Sequence, residues 1–369
     1  MKKKINSIYY VAELNLPSKS AYSIHVMKMC EAFSKLGFKV NLFVINNKNR
    51  NQIFKSYNIK NKFYINSVFS KFIKLNFIYR IVFSFKILFE NHSKNYFFIS
   101  RSIVFSLIAS LFKKKVILEL HHEITGFSKF MYSFLKKIGL INNLKYIFLN
   151  KKLNQIYRID VKNNIVLDDA VNIEDFKIIK SINFPKTCVY IGSFFEGKGI
   201  EQIFRIAKLN KNIQFHLYGD KQFLTVHHKL KNVKVFNFIN YNKIPKTLSK
   251  YEIALMPYQK KVKGRSSIWL EKYMSPLKMF DYLAAKMIII ASDLKVYKHI
   301  LKNNHNSILV KVNDDNLWSQ KIQKLFKYNK QKTRLKNNAY KTAKMNTWEI
   351  RCKKIIYFAA KRYSFRYNL

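Results

Sequence analysis

Short apolar runs alternate with amphipathic stretches along the whole chain, the pattern of strands buried on both faces of a sheet and joined by helices. Residues 5–12 (INSIYYVA) read as a first strand, 21–36 as a helix ended by Gly37, and 39–45 as a second strand. That is a βαβ unit, the start of a doubly wound sheet. Residues 46–66 are polar and rich in Asn and Lys, and read as loop with irregular helix. From 69 to 89 apolar positions (Phe72, Ile73, Phe77, Ile81) interleave with basic ones (Lys71, Lys74, Arg80, Lys86), which predicts an amphipathic helix. Strands follow at 97–100, 115–120, 145–149 and 165–167, with helices at 103–112 and from 150. The rhythm then starts again. Strands are expected at 187–192, 214–218, 233–238, 253–257, 288–291 and 307–310, and helices from 200, at 244–249, from 275, at 316–326 and at 348–362.

Two consecutive α/β halves result, each with a core of its own, and 369 residues suffice for both. The expected division is 1–173, a linker at 174–185, a second domain at 186–345 and a terminal helical segment at 346–369. In open sheets of this class, ligands bind at the carboxyl ends of the strands.

Charge changes the picture less than its size suggests. The net charge is +49, which draws attention to nucleic acid, anionic lipid and phosphorylated substrates. Yet the lysines run from Lys2 to Lys361 without a basic block, and only 8 Gly and 5 Pro accompany them. This is a bias of the whole chain, which argues against a dedicated nucleic-acid stripe. The 20 Asp and Glu become informative in turn, because a carboxylate at a motif position is less readily explained as solubilising surface. Cys30, Cys188 and Cys352 are far apart and match no metal spacing, which points to a reducing compartment. No secretory leader is evident, and the longest uncharged candidate, 103–112, is too short to span a bilayer.

Three segments carry candidate chemistry. The first is SPLKMFDYLAAKMIIIASD, residues 275–293, in which Ser275 reads as an N-cap and Pro276 as the first helical residue. A helix start at Ser275, Leu277 and Lys278 offers amides and a cation to a phosphate, and Asp281 lies one turn on. The second is GSFFEGKG, residues 192–199, between strand and helix, with Lys198 near the helix N-terminus; it lacks the Walker spacing. The third is Glu119-Leu120-His121-His122 at a strand end, where Glu123 is the one further ligand at hand for a metal. Adjacent strand-end residues point apart, so no metal site is assigned.

These segments resemble the GT-B glycosyltransferases, specifically glycosyltransferase family 4 (group 1), over most of the chain and best from 187 to 310. The resemblance implies two Rossmann-like doubly wound domains facing across a cleft, with the last helix crossing back to the first domain. Asp281 matches the family's second glutamate, which binds the nucleotide ribose, while Tyr273 stands at its first glutamate. Lys198 matches the lysine that holds the donor diphosphate, and Ser193 replaces its arginine. Lys286-Met287-Ile288 replaces a Gly-x-Pro turn, and the first loop, with Ser18, Lys19 and Ser20, lacks the usual glycines. His121, with His122 beside it, matches the histidine facing the transferred sugar. The implied activity is retaining sugar transfer from a nucleotide-sugar donor, a substrate rather than a cofactor, to a glycan or lipid-linked acceptor of cell-surface polysaccharide. The implied place is the cytoplasm, with peripheral contact to an anionic inner membrane face left open. A degenerate GT-B protein that binds without turnover is the alternative, ahead of a basic nucleic-acid binder. The segment at 258–273, with Lys260, Lys261, Lys263 and Arg265, reads as a lid over the donor phosphate, a contact for an acidic acceptor or a solvated loop.

Overall fold

The computed structural model describes residues 5–71, 76–178, 181–224, 226, 229–264, 269–328 and 331–363. Arg265, Phe72, Ile73 and Lys74 lie outside the described residues. The chain forms two compact units, Met1–Asp168 with Trp348–Leu369, and Asp169–Thr347.

The first unit is built on β1 (Ser7–Leu16), β2 (Lys39–Asn47), β3 (Tyr64–Ser67), β4 (Tyr96–Ser100), β5 (Val116–Leu120), β6 (Lys145–Phe148) and β7 (Asn164–Val166). All pairs are parallel, in the order β3-β2-β1-β4-β5-β6-β7. The helices are α1 (Ala21–Lys35), α2 (Arg50–Ser56), α3 (Phe77–Leu88), α4 (Ile103–Leu111), α5 (Gly126–Lys137) and α6 (Lys151–Tyr157), joined by the chain's last, α12 (Trp348–Tyr363). Two elements depart from the apolar pattern. The polar stretch at 46–66 holds α2, capped by Asn49, and the edge strand β3, whose outer residue Tyr64 is exposed. An edge strand buries too little to need a continuous apolar run. The helix expected over 69–89 starts only at Phe77, where Asn76 accepts the Tyr79 amide at 2.9 Å.

The second unit carries β8 (Thr187–Ile191), β9 (Gln214–Tyr218), β10 (Val233–Phe236), β11 (Ile253–Met256), β12 (Ile288–Ser292) and β13 (Ile308–Val310), ordered β10-β9-β8-β11-β12-β13. Its helices are α7 (Ile200–Leu209), α8 (Ile244–Leu248), α9 (Leu277–Ala284), α10 (Asp315–Lys327) and α11 (Lys332–Met345). Met279, Phe280 and Leu283 of α9 and Ala339 of α11 pack on one sheet face. Ile203 and Phe204 of α7 and Trp318 of α10 pack on the other. Both faces are covered, which is why Ile288, Ile289 and Ile290 form an unbroken apolar strand. Because β8 lies between β9 and β11, the order of the strands reverses beside it. The crevice at the carboxyl ends of β8 and β11 is therefore where an open sheet takes a ligand.

The first unit is pinned by one buried carboxylate. Glu119 ends β5 and receives the Tyr10 hydroxyl on Oε2 at 3.0 Å and Arg351 Nη2 on Oε1 at 2.7 Å. Arg351 is on α12 and also donates from Nε to the Asp168 carbonyl at 2.8 Å. Burial opposes the charge on Glu119, yet Arg351, with His25 and His121, holds its carboxyl well below the usual range. Removing one partner of such a pair strands the other. Arg351→Met should therefore cost about 3–5 kcal/mol in urea unfolding, and adding Glu119→Gln should recover part of that loss. With a depressed folded pKa, the carboxylate contributes stability above the ordinary value of 4.5 and loses it as pH falls through the folded value. Glu119→Gln should thus unfold with a weaker acid dependence than the wild type, measured as urea midpoints down a pH series.

Candidate active site

At the end of β8 the chain must turn sharply, and Gly192 makes the turn at φ +153°. A Cβ there would meet Lys278 Nζ at 2.4 Å, so the missing side chain is the space the amine occupies. Lys278 is in the first turn of α9. Its Nζ lies 3.6 Å from the centre of the Tyr190 ring and 5.3 Å from that of Tyr258. Lys198 Nζ lies near the same Tyr258 ring, 4.7 Å from its centre. Among the described residues, Lys278 Nζ is buried with no hydrogen-bond partner. Burial, reinforced by the Lys198 charge, pushes its pKa well below the ordinary 10.5, while Asp281 partly offsets the shift. Burial alone brings Lys198 down to about 8. Ring faces attract cations but cannot neutralise them. Two amines held together without a bonded carboxylate suit a dianionic ligand.

Two helix starts converge on the same strand ends. α7 follows Lys198 and begins at Gly199, whose φ of +82° and contact with the Pro257 carbonyl exclude a side chain. Neither α7 nor α9 has a side-chain N-cap. No side chain therefore competes with an anion for these first-turn amides, and in α9 the Met279 amide already donates to the Pro276 carbonyl at 2.9 Å. Ser275 is not the N-cap that its sequence suggests. Pro276 takes that position, Leu277 opens the helix, and the Ser275 hydroxyl instead accepts the Asp169 amide at 3.1 Å. Asp281, on the next turn of α9, is buried and receives the Tyr241 hydroxyl at 3.4 Å. Tyr282 anchors the helix to the sheet by accepting the Ile191 amide at 2.9 Å.

The described part of the cationic loop at 258–264 is tied down. Gln259 N donates to the Gly197 carbonyl at 2.9 Å, Lys263 N to the Glu196 carbonyl at 3.0 Å, and Lys263 Nζ pairs with the Glu196 carboxylate at 3.3 Å. Lys260 and Lys261 remain exposed.

In the first unit, His121 follows β5 with Nε2 at 2.9 Å from Glu119 Oε1. Burial first, then the Arg101 charge, lowers its pKa to about 3, so the ring is neutral at neutral pH. An ionised Glu119 fixes the proton on Nε2 and leaves Nδ1 as an acceptor, suited to a sugar hydroxyl. His122 turns away, its Nδ1 at 2.8 Å from the Glu123 carbonyl. The two adjacent histidines therefore do not chelate together. His25 Nε2, at 2.9 Å from Glu119 Oε1, completes a His25, Glu119, His121 group. The Arg351 guanidinium already occupies that carboxylate oxygen, which makes the group a poor cation site.

Lys198, Lys278 and Asp281 are thus brought to one end of the second unit's sheet. His121 belongs to the first unit, and Ser275 faces the backbone. The motif spacing shows neither Tyr190 and Tyr258 nor the role of Gly192 as the seat of Lys278. The tyrosines are inward-facing or strand-end aromatics like many others here, and only Gly192 after a strand was a visible signal.

An unpartnered buried amine destabilises the ligand-free protein. Lys278→Met should raise stability at pH 7 by about 1–3 kcal/mol in urea unfolding. Because the folded pKa is depressed, the penalty is present below 10.5 and shrinks as pH rises toward that value. The variant's advantage should shrink with it. A less stable variant would mean that the amine supports the fold.

The family model for glycosyl transferases group 1 matches residues 172–342. No curated protein matches the chain. Among solved structures, a glycosyltransferase from Rickettsia africae ESF-5 is similar with a TM-score of 0.71 at 13% identity, over 97% of this chain and 99% of its own. HepE from Anabaena, solved with UDP and glucose, gives 0.71 at 11% identity over 96% and 99%. A mutant of S. aureus TarM, solved with fondaparinux, alpha-GlcNAc-glycerol and UDP, gives 0.68 at 13% over 97% and 100%. At these identities the likeness carries the fold, and the family model covers most of the second unit. Residues 172–342 match the group 1 glycosyl transferase model, and the chain as a whole has the GT-B fold of these solved glycosyltransferases.

Proposed function

We propose that the protein is a retaining glycosyltransferase that uses a nucleotide sugar, with UDP as the first base to test, and acts in the cytoplasm on a glycan or lipid-linked acceptor for cell-surface polysaccharide. The observation that carries this reading is the pair of buried amines, Lys198 and Lys278, beside two helix starts that no side chain caps. Their charge and the amides hold the donor diphosphate, and Asp281 accepts the ribose hydroxyls. In the reaction the bond from the sugar's anomeric carbon to the phosphate oxygen breaks, and its electron pair leaves on the diphosphate. The acceptor oxygen bonds to the same carbon, and its proton passes to the departing phosphate. Lys198 and Lys278 stabilise the charge that grows on the leaving group, where preorganised electrostatics have most effect. His121 Nδ1 accepts a hydroxyl of the transferred sugar. HepE and TarM, solved with UDP, support the choice of first base.

A binder without turnover is the second reading, favoured by Tyr273, buried at the position of the family's first glutamate, and by Ser193 at that of the arginine. Calorimetry with UDP-, GDP- and ADP-sugars separates the readings. One base should bind selectively, Asp281→Ala should weaken it about tenfold or more while remaining folded, and slow donor hydrolysis should accompany binding. Binding without hydrolysis or transfer selects the second reading. No binding by the folded wild type refutes the donor site.

A further inference from the structure

Helix α5 has two apolar faces. Ser128, Tyr132 and Leu135 are buried against the first unit, as a surface helix requires. Phe127, Phe130, Phe134 and Ile138 form a second stripe on the outer side, at helical spacing, and all are exposed; Phe130 is 66% accessible. Phe130 sits between Phe127 and Phe134, at ring separations of 5.9 and 6.5 Å. The stripe continues onto α3, because Phe127 packs edge-on against Phe77 at 4.7 Å. There Ile78, Val82 and Phe89 are exposed as well, and Phe89 lies beside the exposed Phe112 that follows α4. Scattered surface apolar residues need no explanation, but a contiguous aromatic ridge does.

The charges around the ridge specify its partner. The helices α3, α4 and α5 contain no Asp or Glu. Lys86, Lys129, Lys136 and Lys137 flank the aromatic positions and are exposed. Aromatic and aliphatic side chains seated at the acyl boundary, with amines reaching the headgroups, are the features of a helix lying in a membrane interface. A second copy of the chain would bring another +49 against the same surface, so self-association is opposed by charge. No described helix is long and apolar enough to cross a membrane, so the contact is with the surface.

We propose that the outer face of α5, continued by α3, docks the protein on an anionic lipid bilayer. This does not depend on which donor or acceptor the enzyme uses.

The test must separate this face from bulk charge. The full chain is sedimented with vesicles of phosphatidylcholine alone and of equal parts phosphatidylcholine and phosphatidylglycerol, at moderate salt. The wild type should partition onto the anionic vesicles. Phe130→Ser with Phe134→Ser keeps every charge, and its partition coefficient should fall about tenfold or more. The thermal unfolding of this double variant serves as the fold control. Independently, Phe130→Trp should show a blue-shifted emission on anionic vesicles that brominated acyl chains quench. Equal partitioning of the double variant, an unshifted tryptophan, or a wild-type dimer in solution that the double variant breaks would each overturn the proposal.

Discussion

A buried amine with no hydrogen-bond partner is an expensive thing to fold around, and the second unit is arranged around one. Lys278 Nζ is seated where Gly192 lacks a side chain, against the Tyr190 ring, with Lys198 beside it. Desolvation favours the neutral form, and the aromatic faces recover only part of what water gave. Such a group persists in a fold when a ligand supplies the missing charge. The adjoining helix starts follow the same logic. Had Ser275 capped α9, its hydroxyl would have met the amides an anion needs; it binds the Asp169 amide instead.

Glu119 in the first unit shows the opposite use of a buried charge. Its carboxylate is surrounded by Arg351, Tyr10, His121 and His25, and no anion site results. Saturation gives it a structural role, tying the last helix to the strand that carries His121. It also gives His121 a defined tautomer. One histidine thereby becomes an acceptor with fixed orientation, while its neighbour His122 is turned to the backbone. The distinction between a structural charge and a functional one lies here in whether the protein itself completes the pairing.

Much of this was legible in the chain. Buried parallel strands announce themselves as apolar runs, and those of the second unit, such as Ile288–Ser292, were plain. The edge strand β3 and helix α11 were not, because an edge buries little and α11 turns mainly Leu335, Ala339 and Ala343 inward from a polar sequence. Lys278 could be named from its place at a helix start, and Lys198 and Asp281 from the family resemblance. The resemblance has an arginine at 193; in space, Lys278 stands at Gly192, next door to that position, as the second cation of the pair. Spacing along a chain cannot show this, since the two residues are on different elements. The ring of donors around Glu119 was hidden for the same reason: Tyr10, His25 and Arg351 come from three separate segments. The outer ridge of α5 could not be read from the sequence as such, because periodicity alone does not tell an inner apolar stripe from an outer one.

The claim that the two lysines await an anion is tested most directly by the protons they take up. UDP is titrated calorimetrically into the protein at pH 8 in buffers of different ionisation enthalpy. At that pH the terminal phosphate of UDP is already ionised, whereas Lys198, with its pKa brought down to about 8, is partly neutral, and burial disfavours the charge on Lys278 as well. The arriving anion raises both pKa values, so binding should draw protons from the buffer, and Lys198→Met with Lys278→Met should abolish the uptake along with most of the affinity. Tight binding with no linked proton would mean that the diphosphate does not meet these amines, and the account of the site would fall.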